Sequence, residues 1–509
     1  MDSLLSALAL IASSVPMSAS NPIPKKRDFA LPVALLLGLA IACVAISRQS
    51  LWIDEAETAL KAIPPTLHGW WQALYGEHSS NLQLPLYMFY IWGWARFFGT
   101  SEFALRAANI PWFLFGIFAI FRFARRHPAL RNALLLIYGI HPFVWYYLNE
   151  ARPYVMQITG ACILAGCLLT GMDESDDGFR SRNWWIWFAA GLVLVSSSGL
   201  LAVPWAATAV LLLLLTRRKA FVDAAWQTGR GAVCVAALLL ATIIIYYAWT
   251  LKEGVRPSII SMSFLSIPWV FYEQLGFVGL GPGRVDLHGG GVSLFLPYLL
   301  PLCLLAVPMG YAVWRAAAVR FGLGRPSLFL IGIVICPPLA FTFALGFLKQ
   351  FRVVGRHLTP MLPYILLAEA CALLYLWKGK WLDKAMTVLL VFGLLVSSYE
   401  CRFAFRHSRD DYRAAAAVAI DALAAGRKVW WIADTSGAEY YHVPCSSLDE
   451  VPGKAVWLDR VPPDLNSIPD EVVLSKPELC DPTGTIRRFL SDRHYRLTNT
   501  FQAFTVWQR

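Results

Sequence analysis

Apolar residues run in long unbroken stretches along this chain, at about 29–47, 104–121, 132–148, 153–171, 183–198, 200–216, 231–250, 293–314, 327–347, 358–377 and 385–399. Each approaches the roughly 20 residues that an α-helix needs to cross the hydrocarbon core of a bilayer, so the pattern predicts eleven transmembrane helices. A further segment, 83–98, is ambiguous. There Leu84-Pro85-Leu86-Tyr87 is followed by Tyr90, Trp92 and Trp94, the aromatic mixture of a helix lying at headgroup depth. After about residue 400 the long apolar runs stop. An alanine-rich helical pattern over Asp411–Ala425, buried strands over 428–433 and 455–461, and a second helix over 483–492 predict a small α/β module.

The basic residues orient this bundle. Lys25, Lys26 and Arg27 precede the first stretch and place the N-terminus inside by the positive-inside rule. If 83–98 crossed the membrane, every later basic loop would fall outside. If it lies along the interface, the clusters Arg122–Arg131, Arg180/Arg182, Arg217–Lys219, Arg315–Arg325 and Lys378–Lys384 all fall inside. The interfacial reading therefore wins. It divides the chain into a cytoplasmic tail (1–28), a transmembrane domain (29–400) and an extracytoplasmic α/β domain (401–509).

Composition supports a polytopic protein of the cytoplasmic membrane. Hydrophobic residues make up 57% of the chain and charged ones only 15%, against about 25% charged in soluble domains. The net charge of +11 sits in short loops facing anionic headgroups, so a lipid bilayer is the predicted partner and nucleic acid is not. Seven of the ten cysteines lie in apolar stretches and read as small core residues. An outside location permits, without requiring, a Cys445–Cys480 disulfide.

Three acidic or basic groups converge on the outer face under this topology. The first is Asp54, Glu55 and Glu57, directly after the first span: a carboxylate held there can act as general base toward an acceptor hydroxyl, or Asp54 can be an ordinary helix N-cap. The second is Glu150 with Arg152, which emerges on the same face or pairs internally at a helix end. The third is a basic loop, Lys349, Arg352, Arg356 and His357, which parity puts outside against the charge rule. Its arginines can clamp a lipid phosphate, or simply meet anionic headgroups. The long loop 251–292, with Arg256 and His288 between glycine-rich runs, reads as a lid or a connector. Glu369 lies within a span and is a functional candidate by default. The sequence holds no glycine-rich phosphate loop, GxSxG, HExxH or paired CxxC motif.

Five segments together resemble the polytopic lipid-phosphosugar-dependent glycosyltransferases, the C-type superfamily that includes protein O-mannosyltransferases, aminoarabinose transferases and bacterial galacturonosyltransferase-like proteins. They are Asp54-Glu55, Leu84-Pro85-Leu86-Tyr87, Gly99 to Arg106, Tyr147 to Tyr154, and Gly355 to Pro363. The resemblance implies a C-type glycosyltransferase fold and inverting transfer of a sugar from a polyprenyl-phosphate donor to a glycan, lipid or protein acceptor on the outer face. Asp54 would be the base, with Glu55 and Glu150 as further catalytic carboxylates. Lys349, Arg352, Arg356 and His357 would hold the donor phosphate, with Arg152, Tyr154, Tyr87, Arg256 and His288 as further site candidates. Many relatives carry His or Glu before the proline motif, where this chain reads Asn81-Leu82-Gln83. Neutral Gln83 is a poor ligand for a divalent cation, so no cofactor or metal is predicted, a divalent metal being the alternative. Competing functions are a transporter or flippase for a lipid-linked sugar, disfavoured by the scarcity of mid-membrane charges, and an O-antigen ligase or polymerase, which would not need Asp54.

Overall fold

The computed structural model describes residues 29–76, 79–172, 178–252, 262–283, 286–289, 292–318, 325–447, 451–458 and 468–509. The expected tail over 1–28, Arg256 and the side chain of His288 fall outside the described residues. All eleven apolar stretches become helix. Seven described helices are long and apolar enough to cross a membrane: Glu102–Phe123, Tyr154–Met172, Leu200–Gln227, Arg230–Lys252, Ser293–Arg315, Gly355–Trp377 and Trp381–Phe403. Ala30–Ala45 and Pro128–Ile140 are apolar but shorter, so among the described residues length and composition bear out seven of the expected eleven spans.

Tyr154–Met172 is the centre of the bundle, buried over most of its length against Asn109–Phe123 and Arg182–Ser198. Pro85–Phe98 has 14 residues, about 21 Å at 1.5 Å per residue, less than a hydrocarbon core. Proline at its first position starts it, and Gly99, at φ 81°, ends it in a conformation that strains other residues. The third stretch breaks at His141-Pro142. Pro142 opens the helix Pro142–Leu148, and His141 caps it by accepting the Phe143 N–H at Nδ1, 3.2 Å away. Nε2 of His141 then faces the Glu369 carboxyl at 3.8 Å, beyond hydrogen-bond reach.

The segment 276–279 is packed tightly against the last membrane helix. Ser397 Oγ accepts from Gly279 N at 3.1 Å and donates to Gly276 O at 2.5 Å. A Cβ at Gly279 would lie 1.9 Å from the Ser397 carbonyl oxygen, which is backbone and cannot step aside. Gly279→Ala is therefore expected to destabilise the protein by about 1–3 kcal/mol, the usual penalty of overpacking, read as a lowered thermal midpoint in nanodiscs.

Beyond the last membrane helix the chain forms a three-layer α/β unit. Its six strands are β1 (Val429–Ile432), β2 (Cys445–Ser447), β3 (Ala455–Trp457), β4 (Glu471–Ser475), β5 (Arg496–Phe501) and β6 (Phe504–Gln508), in the order β2-β3-β1-β4-β6-β5. β2, β3, β1 and β4 run parallel, and β6 runs antiparallel to both of its neighbours, β4 and β5. Successive side chains of a strand face opposite ways, so Val429 and Trp431 pack under Tyr412–Ala424, while Trp430 and Ile432 pack on Thr485–Asp492. Both helices and strands β1 and β3 fall where the pattern puts them. Cys445 and Cys480 are not joined in a disulfide, and they pack in the clusters on opposite faces of the sheet.

Candidate active site

The helix Ile53–Ala62 follows an extended Trp52 and carries Asp54 and Glu55 in its first turn, where the helix dipole favours anions. Asp54 is inside the helix and caps nothing, so the N-cap reading falls. Adjacent helical residues diverge by about 100°, and the two carboxylates meet different surroundings. Asp54 stays about a quarter exposed, and its Oδ2 accepts from Arg356 Nη1 at 2.7 Å. Glu55 points into the protein and is fully buried.

Glu55 is gripped by Arg106 at 2.8 and 2.6 Å and accepts the Ala151 N–H at 2.8 Å. Burial works against its ionisation, but the charge and hydrogen bonds of Arg106, the charge of Arg409 and the Ala151 amide outweigh it, holding the carboxyl below its ordinary value. Arg106 also donates to the carbonyls of Ser47, Gln49 and Ser50. The pair thus moulds the turn that presents Asp54.

Glu150 and Arg152 do not form the internal pair that was the plainer expectation. Glu150 pairs with Arg409, Nη1 to Oε2 at 3.2 Å. Arg152 Nη1 donates to Asn81 Oδ1 at 2.6 Å, Thr58 Oγ1 at 3.0 Å and the Asp54 carbonyl at 3.2 Å. Tyr154 senses the charges of Arg356, Arg152, Glu150 and Asp54. Tyr87 is buried beside Tyr90, Arg152, Glu55 and Glu150, its hydroxyl without a hydrogen-bond partner, and burial pushes its phenol well up. Loops 302 residues apart in sequence therefore meet at one site.

The basic loop divides. Arg356 stacks over Trp52 at 5.6 Å and Arg352 over Trp269 at 5.8 Å. His357 Nδ1 accepts from Val354 N at 3.3 Å and so braces the turn Gly355–Met361. Lys349 stands exposed at the end of Arg325–Lys349 and is not brought to Asp54. The helix Ser266–Gln274 supports the loop from below: Glu273 accepts from Gly355 N, and Gln274 Nε2 donates to Gly355 O at 2.9 Å and Leu358 O at 3.1 Å. This part of the loop 251–292 therefore braces the arginine loop.

Asn81 is engaged on both sides: its Nδ2 donates to Glu57 Oε2 at 2.8 Å and its Oδ1 accepts from Arg152 Nη1 at 2.6 Å. Among the described residues no three of His, Cys, Asp and Glu gather as a metal site.

Reading the sequence missed Arg106, Asn81, Thr58 and Arg409 as parts of this site. Arg106 carries a visible signal, a lone charge at the head of an apolar stretch.

No family model matches the sequence, and no curated protein does. Among solved structures, the chain is similar to ArnT from Cupriavidus metallidurans in the apo state, with a TM-score of 0.51 at 14% identity over 94% of this chain and 97% of that one. It is equally similar to the same protein bound to undecaprenyl phosphate, with a TM-score of 0.51 at 13% identity over 95% and 98%. The likeness shows the fold: this chain shares the architecture of that ArnT, a helical bundle with a small C-terminal sheet unit.

Proposed function

We propose that this chain is a membrane glycosyltransferase that moves a sugar from a polyprenyl-phosphate donor to an acceptor hydroxyl at the outer face of the cytoplasmic membrane, with inversion and with Asp54 as general base. The observation that carries the reading is the Asp54–Arg356 pair, a part-exposed carboxylate against a part-exposed guanidinium at 2.7 Å, in a fold whose solved example binds undecaprenyl phosphate. A donor phosphate arriving at the headgroup layer takes Arg356 as its counter-ion and releases Asp54. The carboxylate then takes the acceptor proton while the acceptor oxygen bonds to the anomeric carbon. The bond from that carbon to the phosphate oxygen breaks, and polyprenyl phosphate leaves with the electron pair, its charge met by Arg356.

The deciding experiment offers the full chain in nanodiscs a panel of polyprenyl-phosphate sugars and acceptors. Expected are consumption of one donor, stoichiometric polyprenyl phosphate, and a product of opposite anomeric configuration by NMR. If no donor is consumed, and proteoliposomes move labelled donor across the bilayer, the reading is overturned in favour of transport.

A further inference from the structure

Four arginines at and just beyond the end of the last membrane helix bind segments distant in sequence. Arg402 donates to the carbonyls of Val44 and Ile46, and Arg406 to those of Gly279 and Gly281. Arg413 binds the Arg48 carbonyl and the Glu102 carboxylate. Arg409 alone among these four reaches a carboxylate of the candidate site: its Nη1 lies 3.2 Å from Glu150 Oε2, with side chains only 6% and 0% exposed.

The Arg409 guanidinium is fixed independently of Glu150. It donates to Tyr146 OH at 2.8 Å and to the carbonyls of Tyr146 and Asn149 at 3.3 Å, and it stacks over Tyr146 at 4.4 Å and Trp52 at 5.9 Å. Trp52 also carries Arg356 on its ring, so one indole holds the two cations in register. Arg409, Arg356, Tyr87, Tyr147 and Tyr154 are among the groups that feel the Glu150 charge. Arg356 is engaged by Asp54, and Arg409 is a cation in direct contact with the Glu150 carboxylate. A small cavity beside it, lined in part by Asn149, Arg402 and His407, has room for a water molecule.

We propose that Arg409 is a positioning residue for the proposed sugar transfer: it orients Glu150 and keeps it charged, making the root of the C-terminal unit part of the active site. This rests on the glycosyltransferase reading. A buried carboxylate stripped of its guanidinium binds its proton more tightly, by about 1–3 pH units. Turnover that needs ionised Glu150 then fails from the acid side.

The test compares the full-length wild type with Arg409→Gln and Arg409→Lys in nanodiscs. Four quantities are read: thermal midpoint, undecaprenyl phosphate binding, the pH profile of kcat, and the infrared carboxyl band assigned to Glu150 by its loss in Glu150→Gln. Arg409→Gln is expected to lower kcat about tenfold or more, part of the 10²–10⁴-fold that a positioned acid or base supplies. Undecaprenyl phosphate should bind within twofold of wild type. The acid limb and the Glu150 band midpoint should both rise by about one unit or more, and Arg409→Lys should restore most of the loss. An unmoved band midpoint overturns the proposal. So does a loss of kcat that follows thermal stability, with Lys no better than Gln. The infrared titration needs no turnover: a wild type that transfers no sugar, with a midpoint that still moves in Arg409→Gln, defeats the functional reading and supports the coupling of Arg409 to Glu150.

Discussion

Asp54→Asn is expected to lower sugar transfer by about 10²–10⁴-fold, the range lost when a positioned general base is removed, while the protein keeps its fold. The two halves of that expectation have different origins. Asn is nearly the same size as Asp and can still accept a hydrogen bond from Arg356, but it cannot take the acceptor proton. The ion pair it replaces is about a fifth exposed on both sides, so solvent reaches the groups left when the charge is removed. The backbone carbonyl of residue 54, which accepts from Arg152 and Thr58, is untouched by the substitution. The measurement is initial-rate transfer alongside a thermal melt. Full activity in the variant would remove Asp54 from the mechanism and favour a ligase that does not use it.

The largest effect on stability belongs to Arg106. Its partner Glu55 is wholly buried, and a buried pair broken from one side costs about 3–5 kcal/mol because the remaining charge is stranded. Arg106→Leu is therefore expected to lower the thermal midpoint far more than Asp54→Asn. The sign of the pH dependence follows from Glu55. Its carboxyl is held below the ordinary value in the folded protein, so its contribution is present at neutral pH and is lost as pH falls through the folded value. In Arg106→Leu the stranded carboxylate is relieved by protonation instead. The gap in midpoint between wild type and variant should narrow from pH 7 toward pH 4, and a gap constant with pH would mean that Arg106 acts only through the carbonyls of 47–50. Replacing both partners with methionine should recover only part of the loss, since those carbonyls and the Ala151 N–H stay unpaired.

The sequence made the membrane helices legible because their signal is long and strong, and charge parity brought Asp54, Glu150, Arg152 and Arg356 to one face before any contact was known. Three things escaped it. Asp54 and Glu55 look like twins in sequence, but a 100° turn sends one to a guanidinium at the surface and the other into the core. Lys349 and His357 share a basic run with Arg356, yet the end of a helix and a backbone cap separate their roles. Arg409 lies 260 residues from Asn149, to whose carbonyl it donates, and no local pattern marks a contact of that range. The edge strands of the sheet were equally silent: β2 spans Cys445–Ser447, too short to show alternation.

The arginines of the 402–413 segment also set an order of events during synthesis. A ribosome adds about 5–20 residues per second, so roughly 13–50 s separate the emergence of the 146–150 loop from that of Arg409, 260 residues later. For that interval the Glu150 carboxylate exists without its guanidinium, and the turn 47–50 lacks the Tyr441 hydroxyl that later binds Ser50 and Leu51. The candidate site is thus completed last, by residues from the final fifth of the chain.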